Sequence, residues 1–238
     1  RLFHFPLRRR LVMSLCQLVM FDLDGTLVQT AGEISDAVND TLRAFQRPAV
    51  PEEQVERWIG HGTRELMVQA LAKVDGRPVD AVRASAEFAD VMAAFDPFYE
   101  KRCGTRSVLY PHAREVLTAL RQRGVKLAVV TNKEGRHTRS ILQAHGLPAL
   151  LDHVISGDTL PKKKPDPAGI HDCLTRFGAT PATALFVGDS SIDVATARNA
   201  GVPVWALPYG YNMGEPIAAS QPDRLIDDLS ALLELQAA

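Results

Sequence analysis

The sequence has 238 residues, enough for one large or two modest domains with a buried core. Its composition, 46% hydrophobic and 23% charged, is ordinary for a globular enzyme. A formal net charge of −1 gives no electrostatic reason to bind nucleic acid or an anionic membrane, and no apolar run approaches the ~20 residues that cross a bilayer. We therefore expect neither a nucleic-acid partner nor a membrane partner.

The start of the chain and its cysteines bear on the compartment. Arginines cluster in residues 1–12, but the apolar segment after Arg10 is short and runs directly into a predicted strand, so we expect no export signal. We interpret residues 1–12 as an N-terminal extension that is disordered or not native, with Met13 as the natural start. The three cysteines lack the spacing of disulfide frameworks or zinc sites, which favours a reducing cytoplasm.

A short apolar run over residues 18–21 leads directly into two aspartates. Such a run predicts a strand that is buried on both faces of a parallel sheet. Because extended backbone alternates its side chains, Asp22 and Asp24 leave this strand on one side, and Gly25 then permits a sharp turn. The carboxyl ends of parallel strands form a ligand crevice, where two carboxylates can hold a divalent cation. The alternative is an acidic turn that happens to end a strand.

The region over residues 29–106 is mostly helical by its pattern. Apolar residues recur at helical spacing over 34–45, and a short second helix leads to Trp58. Two glycines then interrupt the pattern before Thr63 begins a third helix, and residues 78–103 predict one or two more. We expect a small helical cap inserted after the first strand.

From Val108 the sequence alternates strands and helices, which predicts a doubly wound, Rossmann-like parallel sheet of the α/β class. We expect the tail from Asp223 to Leu235 to be helical. The predicted strands of this part follow the chain order 127–130, 154–155, 185–187 and 204–206. The predicted domains are a core over residues 13–28 and 107–238 and a helical cap over residues 29–106.

Two further acids follow the predicted strand at 185–187. Asp193 lies four residues after Asp189, on the same face if a helix begins there. Asp189 could equally be a helix cap. Together with Asp22 and Asp24 it would complete an oxygen-rich site suited to Mg²⁺, since acids crowded without a cation would repel one another.

Three polar residues at strand ends could bind phosphate. Thr131 and Asn132 offer hydroxyl, amide and backbone N–H groups, although the pair could merely close a strand into a turn. Lys164 ends a run of three lysines, of which we expect Lys162 and Lys163 to be solvated. Prolines stiffen the loop of Lys164, and a lysine near the carboxylates would balance their charge and hold phosphate.

The stretches DLDGT, TN, KP within KKKPDP, and GDSSID resemble, in this order, the four motifs of the haloacid dehalogenase superfamily. The resemblance covers nearly the whole chain, and the helical insert falls between the first two motifs, as does the superfamily's first type of cap. Residues 208–233 resemble bacterial phosphoglycolate phosphatases in particular. Many relatives have Asp followed by Ser or Thr at the positions of Gln29 and Thr30; the sequence departs from this pattern at Gln29, which bears on flap and cap closure.

The resemblance implies a Mg²⁺-dependent phosphatase for a small phosphate monoester, 2-phosphoglycolate first of all, with an aspartyl-phosphate intermediate. Asp22 would be the nucleophile, and Asp24 the general acid and then the general base. Phosphate would be bound by Thr131, the Asn132 backbone and Lys164. Mg²⁺ would be bound by Asp22, the Asp24 main-chain carbonyl and Asp189, with Asp193 supporting from nearby.

Other functions stay open on the same residues. A sugar-phosphate phosphatase or a phosphohexose mutase would also use both aspartates, and a dehalogenase would need the nucleophile without the Asp24 acid. A non-catalytic scaffold is a further alternative, which the intact acids argue against. The sequence leaves open whether the protein is a monomer or a homodimer.

The cap offers one candidate for substrate recognition, at the break before its third helix. A helix N-terminus and a guanidinium are a natural seat for a carboxylate, which glycolate carries beside its phosphate ester. The alternative is an ordinary loop with a solvated arginine. The candidate residues are His61, Gly62, Thr63 and Arg64. The other six histidines show no metal-ligand spacing, and we expect no metal there.

Overall fold

The computed structural model describes residues 15–237, so the predicted extension over residues 1–12 lies outside the described part of the chain. Six of its strands form a parallel sheet, and two form a short antiparallel pair. In chain order the strands are β1 Leu18–Phe21, β2 Val28–Gln29, β3 Val108–Leu109, β4 Lys126–Val130, β5 His153–Ile155, β6 Ala184–Gly188, β7 Val204–Ala206 and β8 Arg224–Leu225. The parallel sheet has the order β5-β4-β1-β6-β7-β8, which confirms the predicted fold class.

Helices cover both faces of this sheet and build a separate bundle. In chain order they are α1 Ala31–Ala44, α2 Glu52–Glu56, α3 Thr63–Asp75, α4 Val79–Arg83, α5 Glu87–Arg102, α6 Ala113–Gln122, α7 Gly135–Ala144, α8 Ala168–Phe177 and α9 Ser191–Ala200. None of the described helices is long and apolar enough to cross a membrane.

Alternate residues of β1 point to opposite faces of the sheet. Val19 and Phe21 belong to an apolar cluster with α6 and α7, whereas Leu18 and Met20 belong to a second cluster with α8 and α9. All four side chains are fully buried. Because both faces are covered, the carboxyl ends of the strands are where a crevice can form.

The helices α1 to α5 lie between β2 and β3 and have an apolar core of their own. Val28 pairs with Leu109 and Gln29 with Val108, so the chain leaves and re-enters the rest of the molecule at one place. We call α1 to α5 the insert and the remaining elements the core. The predicted domain limits themselves stay a prediction.

A buried glutamate fixes the chain where it returns from the insert. Glu33 lies in the first turn of α1 and is fully buried. Its Oε2 accepts hydrogen bonds from the backbone N–H groups of Gly104, Arg106 and Ser107, at 2.9, 3.2 and 2.9 Å. Because bonds to a charged acceptor are strong, this glutamate ties the end of the insert to its beginning.

The prediction of a helical tail over 223–235 is wrong. The tail forms β8, which extends the parallel sheet beside β7, and then a 3₁₀ helix over Leu229–Glu234. Asp228 caps the 3₁₀ helix by accepting a hydrogen bond from the Ser230 N–H at 2.7 Å. A strand of two residues is too short for a period-two pattern to reveal it, whereas the leucines that follow imitate helical spacing.

Candidate active site

Asp22 lies at the carboxyl end of β1, beside a buried lysine. Its backbone N–H donates to the Val187 carbonyl at 3.0 Å, which continues the pairing of β1 with β6. Lys164 Nζ is 3.0 Å from Asp22 Oδ1 and 2.7 Å from Asp193 Oδ1. All three side chains are buried. The sheet therefore brings together residues from the ends of two strands and the lysine loop, as the sequence predicts.

Asp193 is held by the turn that begins α9. Its Oδ2 accepts hydrogen bonds from the backbone N–H groups of Asp189 and Ser190, at 3.0 and 3.1 Å. Ser190 and Asp193 together form a capping box, so Ser190, and not Asp189, is the N-cap residue. Both oxygens of Asp193 are used within the protein, which fits the supporting role predicted for it.

Asp189 follows β6 and faces the turn after β1. Its Oδ1 accepts a hydrogen bond from Thr26 Oγ1 at 2.7 Å, and its Oδ2 accepts one from the Tyr211 N–H at 2.6 Å. Gly25 has a φ of +85°, and a Cβ at this position would overlap the Asp189 carboxylate. The glycine of the DLDGT stretch therefore permits both the turn and the close approach of the acid.

The buried acids are crowded together, and burial with this crowding shifts the pKa values of two of them. Asp22, Asp189 and Asp193 each offer a carboxylate oxygen within 4.8 Å of the others. Burial, together with repulsion by Asp193, raises the pKa of Asp22 to about 7, even though Lys164 lowers it. Burial, together with repulsion by Asp193 and Asp22, raises the pKa of Asp189 well above its ordinary value. Burial alone would lower the pKa of Lys164, but Asp193 and Asp22 outweigh it and raise that pKa.

Asp24 lies on the same side of β1 as Asp22 and faces the insert. Its Oδ1 accepts a hydrogen bond from Thr30 Oγ1 at 2.6 Å and lies 3.2 Å from Lys133 Nζ. Lys133 also donates to the Tyr99 hydroxyl of α5 at 2.6 Å, and both side chains are buried. Thr30, the residue after the departure at Gln29, thus contacts the predicted acid.

Thr131 and Asn132 follow β4 and are buried beside the lysine loop. Asn132 Nδ2 donates to the carbonyls of Lys164 and of Gly60 in the insert, each at 3.0 Å. Asn132 Oδ1 is buried with no hydrogen-bond partner within residues 15–237. The predicted phosphate-binding residues therefore meet at one point, which also contacts the insert. Lys162 and its neighbour at 163 are exposed, as expected.

A small cavity lies between these core residues and the insert. It encloses about 30 Å³, which holds roughly two water molecules. The insert contributes mainly small or apolar residues to its wall, and the core contributes the polar ones. The lining residues are Asp22, Asp24, Ile34, Ile59, Gly60, Gly62, Thr63, Leu66, Thr131, Asn132, Lys133, Ser190 and Tyr211. The space is small beside a phosphate ester.

The N-terminus of α3, predicted as a seat for a carboxylate, is occupied by a carboxylate of the protein itself. Glu134 accepts hydrogen bonds from the Thr63 N–H at 3.2 and 3.3 Å and from Thr63 Oγ1 at 2.7 Å. Lys163 Nζ donates to the His61 carbonyl nearby. These contacts hold the insert against the core.

The four candidate residues at this helix end are placed differently. Gly62 and Thr63 line the cavity, whereas His61 and Arg64 are exposed and do not belong to its wall. The Arg64 guanidinium lies over the ring of Phe88, 4.7 Å from its centroid. The predicted role of Arg64 stays a prediction, and this conformation does not support it.

Sequence reasoning did not identify three residues of the site, which are Lys133, Glu134 and Tyr211. Lys133 directly follows the TN pair, but nothing in its spacing shows that it turns toward Asp24. Glu134 likewise shows no local signal. Tyr211 donates its N–H to Asp189, and its hydroxyl accepts from the N–H groups at the start of α1, at 3.2 and 3.0 Å. Each of these contacts joins distant segments.

Comparison with known proteins agrees with this geometry. The family described as haloacid dehalogenase-like hydrolase matches residues 19–207. A phosphoglycolate phosphatase from Pseudomonas putida is 42% identical over 221 residues, 92% of this chain and 79% of that protein. A phosphoglycolate phosphatase from Vibrio cholerae is 38% identical over 94% of this chain and 98% of its own length.

A solved structure shows the same fold. The crystal structure of a predicted phosphoglycolate phosphatase from Haemophilus somnus has a TM-score of 0.85 and 36% identity, covering 92% of this chain and 97% of the other. The similarity extends over both the core and the insert.

Proposed function

This chain belongs to the haloacid dehalogenase-like hydrolases, and we propose that it is a Mg²⁺-dependent phosphatase that converts 2-phosphoglycolate to glycolate and phosphate. The observation that carries the proposal is the placement of Asp22 at the tip of β1, 3.0 Å from Lys164 and two residues before Asp24. The candidate nucleophile and the candidate acid line one small cavity, and a lysine contacts the nucleophile, which suits attack on phosphorus.

In the proposed reaction Asp22 attacks phosphorus and the alkoxide of the substrate leaves. The Asp22–phosphate bond forms as the ester P–O bond breaks, and water then cleaves the acyl phosphate. Lys164 would neutralise a phosphate oxygen, while Thr131 and the Asn132 backbone bind the others. The burial of Lys164 between Asp22 and Asp193 supports this, because it fixes the Nζ before substrate binds.

Asp24 would protonate the leaving oxygen and afterwards remove a proton from the attacking water. Its hydrogen bond with Thr30 Oγ1 holds Oδ1, and the cavity wall places the residue beside the insert. Closure of the insert would exclude bulk water during the first step.

The acids at the strand ends fit a divalent cation. Asp22 and Asp189 are buried close to Asp193, and burial together with repulsion among these acids raises the pKa of both. A divalent cation would relieve that repulsion beyond what Lys164 supplies. We propose that Asp22, Asp189 and the main-chain carbonyl of Asp24 bind Mg²⁺, with Asp193 in support. When bound, the ion neutralises charge on the transferring phosphoryl group.

Substrate choice would come from the wall that the insert contributes. Its small and apolar residues leave room only for a small remainder beside phosphate. We propose Lys133, a buried cation of the core that contacts Tyr99 of the insert, as the partner of the glycolate carboxylate, in place of Arg64. We also propose a reducing cytoplasm as the location, and a small phosphorylated metabolite as the only class of partner that the site requires.

The test is Mg²⁺-dependent release of phosphate from 2-phosphoglycolate by the intact protein. We expect turnover that a chelator abolishes and Mg²⁺ restores. Asp22→Asn should lose more than about a thousandfold in rate, since it removes a covalent nucleophile, whereas Asp80→Asn on the insert surface should have no effect. A rate that survives Asp22→Asn would refute the nucleophile.

Other substrates separate the alternatives. Preferred hydrolysis of a hexose phosphate would favour a sugar-phosphate phosphatase, and phosphoryl return to a sugar would favour a mutase. A scaffold or a dehalogenase should release no phosphate from any ester.

A further inference from the structure

We propose that Glu100, Cys103 and His137 form a site for a borderline-soft divalent cation of the Zn²⁺ class, which bridges the insert and the core. Glu100 lies in the last turn of α5, and Cys103 is the residue that ends this helix. His137 lies in the first turn of α7. Each side chain offers one ligand atom, and the three atoms lie within 4.8 Å of one another.

The imidazole of His137 carries an unpaired nitrogen. The side chain is fully buried, and Nδ1 has no hydrogen-bond partner in the part of the chain that the structure describes. Nε2 lies 3.3 Å from Asp96 Oδ1, and Nδ1 lies 3.4 Å from Glu100 Oε2. With the proton on Nε2 toward Asp96, Nδ1 directs a lone pair at a carboxylate oxygen. A cation between the two atoms would convert their repulsion into attraction.

The separation of these atoms suits a shared metal. Ligand atoms of a tetrahedral site with bonds of ~2.1 Å lie about 3.4 Å apart. A thiolate, an imidazole and a carboxylate together favour Zn²⁺ over Mg²⁺, which prefers oxygen ligands alone. Water can complete the coordination.

Neighbouring groups already hold two of the ligands. Asp96 is placed to accept from His137 Nε2, as carboxylates do beside metal-bound histidines. Ser140 donates to Glu100 Oε1, so that Oε2 remains directed at His137. The Tyr99 ring packs against the imidazole, with centroids 4.6 Å apart.

The proposed site lies between the end of the insert and the core. Cys103 is followed directly by the segment that Glu33 ties down, and α7 begins close to the core wall of the cavity. A cation held by α5 and α7 would join the end of the insert to the core. The sequence does not reveal this site because its ligands come from two helices separated by more than thirty residues.

The test uses Co²⁺ as a spectroscopic substitute, added to the reduced, Mg²⁺-saturated protein. Binding by Cys103 should produce a thiolate-to-cobalt charge-transfer band that saturates at one equivalent and disappears when Zn²⁺ is added. The acidic site at the strand ends has oxygen ligands and cannot give this band. Absence of the band in the unaltered protein would overturn the proposal.

Variants then assign the ligands. Cys103→Ser should abolish the band, whereas Cys173→Ser, which changes a buried cysteine far from the site, should keep it. Glu100→Gln alters a partly exposed side chain with little change of shape, and it should weaken Co²⁺ binding by at least about tenfold. His137→Gln should weaken it at least as much. Survival of the band in Cys103→Ser would overturn the site, and unchanged affinity in His137→Gln would overturn the bridge.

Discussion

The two walls of the cavity are built from different kinds of contact. On the core side, Asp22 lines the cavity. Behind it, Lys164, Asp193 and Asp189 continue a set of charged and hydrogen-bonded groups, which with Asp22 make up the core wall. On the insert side, the wall is formed by residues such as Ile34, Ile59 and Leu66, which offer only apolar surface. The difference separates two tasks: the core fixes charges around a phosphoryl group, and the insert limits the size of what is attached to it.

Among the tests of this division of tasks, the largest expected effect on the rate of hydrolysis is that of replacing Asp24, a residue of the core side. If it protonates the leaving group, Asp24→Asn should slow hydrolysis of 2-phosphoglycolate, whose alkoxide needs a proton, about a hundredfold more than that of p-nitrophenyl phosphate, whose phenolate does not. Initial rates on the two esters at saturating Mg²⁺ measure the difference. Equal losses would remove the acid role and leave Asp24 only a structural part of the core wall.

Lys133 tests whether specificity resides where the two walls meet. Lys133→Met keeps most of the side chain's volume and removes its charge. We expect kcat/KM for 2-phosphoglycolate to fall about tenfold to a hundredfold more than for p-nitrophenyl phosphate, because a charge-assisted contact is worth about 1.5 to 3 kcal/mol.

Arg64→Met is the matched control for that change. The Arg64 guanidinium stacks on Phe88 outside the cavity, so this substitution should alter both substrates by less than about twofold. A selective loss in Arg64→Met with none in Lys133→Met would return the carboxylate seat to the helix end predicted from the sequence.

The two walls also differ in how much of each could be predicted. Asp22, Thr131 and Asp189 each directly follow a strand, and in a parallel sheet the ends of neighbouring strands meet, so local patterns were enough for these three. Lys164 lies in the loop that follows β5, where the stiffening prolines were the local signal. Lys133 could not be found this way, because its contact with Tyr99 joins residues 34 positions apart through the closed insert.

The insert and the tail show the same limit. Thr63 was correctly predicted to begin α3, since a glycine break before an apolar stripe is a local signal. That Glu134 would occupy this helix end depends on how the insert lies on the core. The tail was misassigned because β8 is a strand only through its pairing with β7. A segment of two residues is too short to carry a sequence pattern that would indicate a strand.

The pKa shifts in the core wall predict how Mg²⁺ and pH act together. A carboxyl whose pKa is higher in the folded than in the unfolded state stabilises the fold at low pH and loses this contribution as pH rises through the folded value. For Asp22 that window extends from its ordinary value of 3.8 to about 7, and Asp189 shifts in the same direction. The metal-free protein should therefore lose this contribution by neutral pH.

Mg²⁺ should restore the lost stability only at pH values where the Asp22 and Asp189 carboxyls are ionised. We expect the rise in Tm on adding Mg²⁺ to be several degrees larger at about pH 8 than at about pH 5, as measured by thermal unfolding with and without the ion. Asp189→Asn should remove most of this pH dependence. An equal rise at both pH values would show that the acids of the core wall do not bind the ion.

The smallest expected effect on kinetics comes from the contact between Glu134 of the core and Thr63 of the insert. Glu134 accepts from Thr63 N–H and Oγ1 at the N-terminus of α3, and it is not among the groups proposed to touch the substrate. Glu134→Gln keeps an acceptor but removes the negative charge that favours a helix N-terminus, a loss of about 0.3 to 1 kcal/mol. Closure should weaken equally for every substrate, so KM should rise about two- to fivefold for both 2-phosphoglycolate and p-nitrophenyl phosphate, while the ratio of their kcat/KM values stays constant. A change in that ratio would mean that Glu134 contacts the substrate itself, and the helix end would then belong to the specificity site after all.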